Sequence, residues 1–250
     1  KALFLQDQLL TKTQMRSCHV AIRQCVNSQG RPFTTPFKGF LINGSPGAHL
    51  IGYEHIPRRT LLLGTDYQVL RPPFWRRTER KVKERIKTVL IMAGGTDHGN
   101  SVGIMVQAAK EALPADVEIK VIASYYEYDN RVKSTGFLDA SEIKEEFDNA
   151  DLLITAAGQT VAEAVSCAFP VIMVQTADNQ EINVRGWQNA GLAFFAGKIS
   201  SNNVEAQLNK EICRMNDFNI RSNIKTKAEK VCINNSTRKL ANSILSYQLQ

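Results

Sequence analysis

At 250 residues, with 43% hydrophobic and 22% charged side chains, the chain has the composition of a globular protein with room for one full core and part of another. No apolar run approaches the roughly 18–20 residues that span a bilayer and no signal-peptide pattern is present, so a cytoplasmic protein is expected. The net charge of +7 raises nucleic acid as a partner, but the excess is local and no nucleic-acid motif accompanies it, so none is expected.

Lys1 is followed by the strand-like run Ala2-Leu3-Phe4-Leu5 without a preceding turn or cap, which reads as the continuation of a longer polypeptide. A helix is expected over residues 14–26 and short strands over 40–42 and 60–63, between the breaks made by Gly30, Pro32, Pro36, Gly39, Gly44, Pro46, Gly47 and Pro57. Residues 71–87 then hold eight basic side chains (Arg71, Arg76, Arg77, Arg80, Lys81, Lys83, Arg85, Lys87) against Glu79 and Glu84. Such a run reads as a solvated helix face or linker, or as an attractor of anionic ligands or a membrane surface.

From Lys87 onward the rhythm is regular. Strands are predicted over 88–92, 118–123, 152–155, 170–174 and 192–195, with helices over 101–113, 141–147, 161–168 and 180–189, and closing helices over 204–215 and 238–248. Short apolar strands alternating with helices predict an α/β fold with a parallel sheet covered on both faces. Ligands of such sheets sit at the carboxyl ends of strands, beside helix N-termini.

Two strand–glycine–helix junctions lie on that edge. Ala156-Ala157-Gly158-Gln159-Thr160 follows one apolar run and Ala93-Gly94-Gly95-Thr96 another. Unpaired backbone N–H groups and the positive helix end converge there, as a diphosphate requires. Gly94-Gly95-Thr96 lacks both the dinucleotide fingerprint and the P-loop lysine. Thr160 and Glu163 have the spacing of a capping box, and equally of a carboxylate gripping a ribose diol by two charge-assisted hydrogen bonds. Asp178 and Glu181 also fit a cap, while Asn179 and Gln180 offer donors and acceptors to a sugar. Phe137 and Leu138 end a short extended segment whose backbone suits the edge of a base, and Phe137 suits a core equally well. His98, beside the glycine turn, is a candidate acid or base. Cys18, Cys25, Cys167, Cys213 and Cys232 show no CxxC spacing and are read as free thiols. No metal or other cofactor is expected.

Residues 64–74 (Gly64-Thr-Asp-Tyr-Gln-Val-Leu-Arg-Pro-Pro-Phe74), 93–97, 156–163 and 177–180 together resemble the UDP-sugar hydrolases of pseudaminic-acid biosynthesis. These are similar to the N-acetylglucosaminyltransferase acting on lipid-linked muropeptide, and both have the two-domain GT-B fold. The resemblance implies a Rossmann-type C-terminal domain over 71–250, and over 1–70 a remnant of the N-terminal domain with its linker. The activity it implies is release of UDP from a diacetamido-trideoxy-hexose; the alternatives are transfer from a UDP-sugar donor, or UDP-sugar binding alone. By the same likeness Phe137 and Leu138 would hold uracil, Glu163 the ribose, Gly158 to Thr160 with Gly95 and Thr96 the diphosphate, and Asn179 and Gln180 the sugar. The glycine-rich histidine loop that supplies the family's base has no counterpart in this chain, so no catalytic residue is assigned beyond His98.

Overall fold

The computed structural model describes residues 40–53, 61–93, 100–123 and 130–247. The helix expected over 14–26, the Gly94-Gly95-Thr96 turn and His98 lie outside them. Two parallel sheets are present. The smaller pairs β1 (Leu41–Asn43) with β2 (Leu61–Leu63). The larger has six strands: β3 (Thr88–Met92), β4 (Glu118–Val121), β5 (Val132–Ser134), β6 (Leu152–Ala156), β7 (Val171–Gln175) and β8 (Phe194–Lys198).

Their spatial order is β5-β4-β3-β6-β7-β8, all pairs parallel. Numbered from β3, this is the doubly wound order 3-2-1-4-5-6. The chain leaves β3 toward one edge and β6 toward the other, so a crevice opens between their carboxyl ends.

Seven helices are described: α1 (Ser101–Ala112), α2 (Ala140–Asn149), α3 (Gln159–Ser166), α4 (Glu181–Ala190), α5 (Val204–Met215), α6 (Phe218–Lys230) and α7 (Ser236–Tyr247). Every residue of β6 and β7 is buried, as a sheet covered on both sides demands. Alternate residues serve opposite faces. Leu90, Leu153, Val171 and Met173 join α2, α3 and α4 in one core. Val89, Ile91, Ile154 and Ile172 join α1 and α5 in the other. No helix among the described residues is long and apolar enough to cross a membrane.

Leu240 and Ile244 of α7 pack against Phe40, Ile42 and Leu62 of the small sheet, so the last helix returns to the first strands. At its root, Ser236 Oγ donates to Gln68 O (2.6 Å) and Leu70 N–H to Thr237 Oγ1 (2.9 Å). A second join is made by backbone alone. A Cβ on Gly186 of α4 would collide with Gly47 N, and one on Gly47 with Ile182 O.

The basic run forms no α-helix, and Arg76, Lys81, Lys83, Arg85 and Lys87 within it are exposed. Residues 71–87 hold one short 3-10 turn (Pro72–Trp75) and are otherwise irregular, forming a strap in which Arg77 and Arg80 finish other helices. Arg77 Nε bonds Ser166 O (2.8 Å) at the end of α3, and its Nη2 bonds Ala228 O (3.0 Å) near the end of α6. Arg80 donates to Phe147 O and Ala150 O at the end of α2, and its guanidinium lies 4.3 Å over the Phe169 ring. Arg221 of α6 reaches back to Lys83 O (2.6 Å) and Glu84 O (2.9 Å). A guanidinium suits this task because helix C-termini carry unpaired carbonyls and a negative dipole end.

Candidate functional site

The site is built where β6 ends. Gly158 is the N-cap of α3, and no side chain caps the helix. The first N–H groups of a helix have no intrahelical acceptor, and the space beside this helix end is open: a Cβ on Gly158 would meet nothing within 4 Å. An uncapped helix end at the switch point of a doubly wound sheet is a place for an anion.

The capping box expected between Thr160 and Glu163 does not form. Because α3 begins at Gln159, Thr160 already lies inside the first turn and cannot be the N-cap. The box forms instead at α2. Asp139 Oδ1 accepts from Ser141 N (2.7 Å) and Glu142 N (2.9 Å), and Glu142 accepts from Asp139 N (2.7 Å).

Glu163 projects from the second turn of α3 with 1% of its side chain exposed. Its two oxygens accept from Arg71: Nε to Oε1 and Nη2 to Oε2, each at 2.7 Å. Those hydrogen bonds raise the Arg71 pKa above its usual value; burial opposes them, and the charges of Glu163 and Asp139 add to the rise. The guanidinium also stands 5.4 Å from the Phe74 ring centre. Two residues earlier in the approach, Gln159 Nε2 donates to Val69 O and Gln68 Nε2 donates to Gln159 Oε1 (2.7 Å). The segment Gln68 to Arg71 therefore lies along α3 from its first residue to its second turn. Sequence reasoning placed Arg71 in the basic run and did not find this pairing. The partners are 92 positions apart, so no local spacing signals it.

Phe137 follows Gly136, whose φ of 71° turns the chain, and the ring is 69% exposed, so it is not a core residue. Leu138 packs against the core beneath. On the other side of α3, residues Asp178–Gln180 form a short 3-10 turn, and neither Ala177 before it nor Gln180 before α4 makes a side-chain cap. The cap that Asp178 and Glu181 also fit is thus not made. Asn179 is exposed. Gln180 is turned back on its own loop, where Oε1 accepts from Thr176 N (2.8 Å). Asn183 Nδ2 donates to Ala157 O (3.2 Å), which fastens α4 to the turn before α3. The Phe137–Asp139 loop, the α3 end and the 178–180 turn thus follow β5, β6 and β7, all at carboxyl ends.

Among the described residues no group of histidine, cysteine and acidic side chains has the arrangement of a metal site. Cys167 is a buried free thiol, pushed up to about 11 by burial. Cys213 and Cys232 are exposed free thiols.

No family model and no curated protein sequence matches the chain. Solved structures do. MurG of Acinetobacter baumannii aligns at a TM-score of 0.52 and 14% identity, over 86% of this chain and 58% of its own. WaaG, a glycosyltransferase involved in lipopolysaccharide biosynthesis, aligns at 0.52 and 14% identity, over 75% of this chain and 57% of its own. The fold is α/β with parallel sheets and GT-B-like. A GT-B-type scaffold does not by itself fix the reaction. A Listeria monocytogenes protein described as a UDP-N-acetylglucosamine 2-epimerase aligns equally well, at 0.52 and 16% identity, over 66% of this chain and 46% of its own. The chain spans about half the length of these GT-B structures.

Proposed function

We propose that this chain carries the nucleotide-sugar half of a GT-B glycosyltransferase, with a UDP-sugar as donor. The observation that carries the reading is the uncapped N-terminus of α3, with Gly158 facing open space at the switch point. In this reading the Gly158 to Thr160 loop, through the N–H groups that open α3, binds the diphosphate together with the loop holding Gly94, Gly95 and Thr96. Phe137 and Leu138 flank the base, Glu163 takes the ribose, and Asn179 faces the sugar. Residues 71–250 form the donor-binding domain and residues 1–70 belong to the partner domain and its linker. The structural likeness to MurG and WaaG supports transfer. The motif resemblance of residues 64–74, 156–163 and 177–180 supports a second reading, hydrolysis of a UDP-sugar, on the same site.

Calorimetry with UDP tests the shared site. A Kd in the micromolar range, about −8 kcal/mol, is the expected result, and no binding at millimolar UDP rejects both readings. With the complete enzyme, UDP release that requires an added acceptor supports transfer. Equal release without acceptor supports hydrolysis instead.

A further inference from the structure

Arg71 is part of the strap and not of α3, yet it occupies the carboxylate that the proposed function gives to a ribose. An ionised carboxylate has two oxygens and about four lone-pair sites. The edge of Glu163 that faces the strap accepts two parallel N–H groups from one guanidinium, both at 2.7 Å. A vicinal cis-diol offers the same pattern, two donors side by side aimed at two oxygens, and it competes for the same edge. With only 1% of the side chain exposed, Glu163 has no other open edge for a ligand to use.

We infer that Arg71 and a ribose diol are alternative partners of Glu163: the guanidinium closes the carboxylate in the free protein and is expelled when a ribonucleotide enters. This rests on the reading of α3 as a nucleotide cradle. Three features make the exchange feasible. The Arg71 side chain is 43% exposed, so it has a route to solvent. It can leave without unwinding α3, because it belongs to another segment. Asp139, whose charge already acts on Arg71, spends Oδ1 on both cap N–H groups of α2 and leaves Oδ2 for a cation. While closed, the pair also keeps the Glu163 charge compensated, which a buried carboxylate requires. The cost is borne by the ligand, whose apparent affinity is reduced by the fraction of molecules in the closed form.

The test uses the full chain with UDP and 2′,3′-dideoxy-UDP, which carry the same phosphates. The Arg71 Nε–H NMR resonance should move from a protected, carboxylate-bonded position to a solvent-like one with UDP, and stay with the dideoxy nucleotide. Arg71→Met, and Arg71→Lys as a variant that keeps the charge and lacks the fork, should raise the preference for UDP over the dideoxy nucleotide about tenfold, roughly one charge-assisted hydrogen bond. Circular dichroism confirms that each variant is folded. An Arg71 resonance that stays bonded in the UDP complex, or a preference that is unchanged or smaller in the folded variants, overturns the exchange while leaving UDP binding intact. Failure of the wild-type chain to bind either nucleotide removes the cradle itself, and the exchange with it.

Discussion

Thr155 sits fully buried in the central strand β6, and its hydroxyl has no hydrogen-bond partner among the described residues. An unpaired buried hydroxyl forfeits about 1–3 kcal/mol of hydration, and a β-branched residue is what a covered strand favours. Thr155→Val keeps the shape and removes the unpaired group. It is expected to leave stability unchanged or raise it by about 1 kcal/mol in urea denaturation; a loss above that would mean the hydroxyl has a partner. Arg71 shows the opposite economy, since both of its bonded nitrogens are matched to a buried carboxylate. The chemistry of single residues was only partly legible in the sequence. Gly158 announced itself, because glycine after an apolar run and before a helix has few other uses. Glu163 was visible as a carboxylate one turn into the helix that Gly158 opens. Its partner was not, since a contact across 92 positions depends on how the strap is laid over the sheet.

Elements were read most reliably where burial is two-sided or strongly periodic. β3 and α5 fall within the expected bounds because their apolar positions leave no alternative register. β8 begins two residues later than expected. Gly191 adopts φ 64° and closes α4, and Leu192 N–H then bonds Trp187 O, so Leu192 finishes the helix cap and the strand opens only at Phe194. α6 was missed because only Arg221, Ile224 and Ala228 of it are buried, too few for an apolar stripe. Its one local signal was Asp217, which accepts from Asn219 N as N-cap. β5 is a three-residue edge strand, below the length at which alternation can be recognised. At this scale the join between α4 and the 45–50 turn is the most sensitive contact, since it is made of two glycines. Alanine at a helical glycine normally gains up to about 1 kcal/mol. Gly186→Ala should instead destabilise by about 1–3 kcal/mol, the cost of overpacking. A thermal midpoint that rises in this variant would show that the contact is loose.

The whole molecule is two parallel sheets tied by the strap and by α7. Leu240 fills the cluster of Phe40, Ile42 and Leu62, far from the main cores in sequence. Leu240→Ala is expected to cost about 2–5 kcal/mol, as for other buried leucines, and to fall on the small sheet. Calorimetry should then resolve two transitions where the wild type gives one; a single transition at a lower midpoint would mean that both sheets unfold together regardless of α7. The parallel sheet covered on both faces was legible from the alternation of strands and helices, whereas the strand order was not, because alternation does not say toward which edge each crossover runs. The return of α7 to the first sheet was not legible either, because an amphipathic helix declares that it has a buried face without saying against what.

The two places where the chain passes between the sheets lie side by side. Gln68 and Leu70 on the outward pass are hydrogen-bonded to Ser236 and Thr237 on the return, and Phe74 O accepts from Asn234 Nδ2 (2.8 Å). With the Gly47–Gly186 contact as a second join, the small sheet is held at two places and not along a single line. Arg71 is one residue from this double seam, so the side chain that covers Glu163 is anchored where the outward and return passes of the chain are tied together.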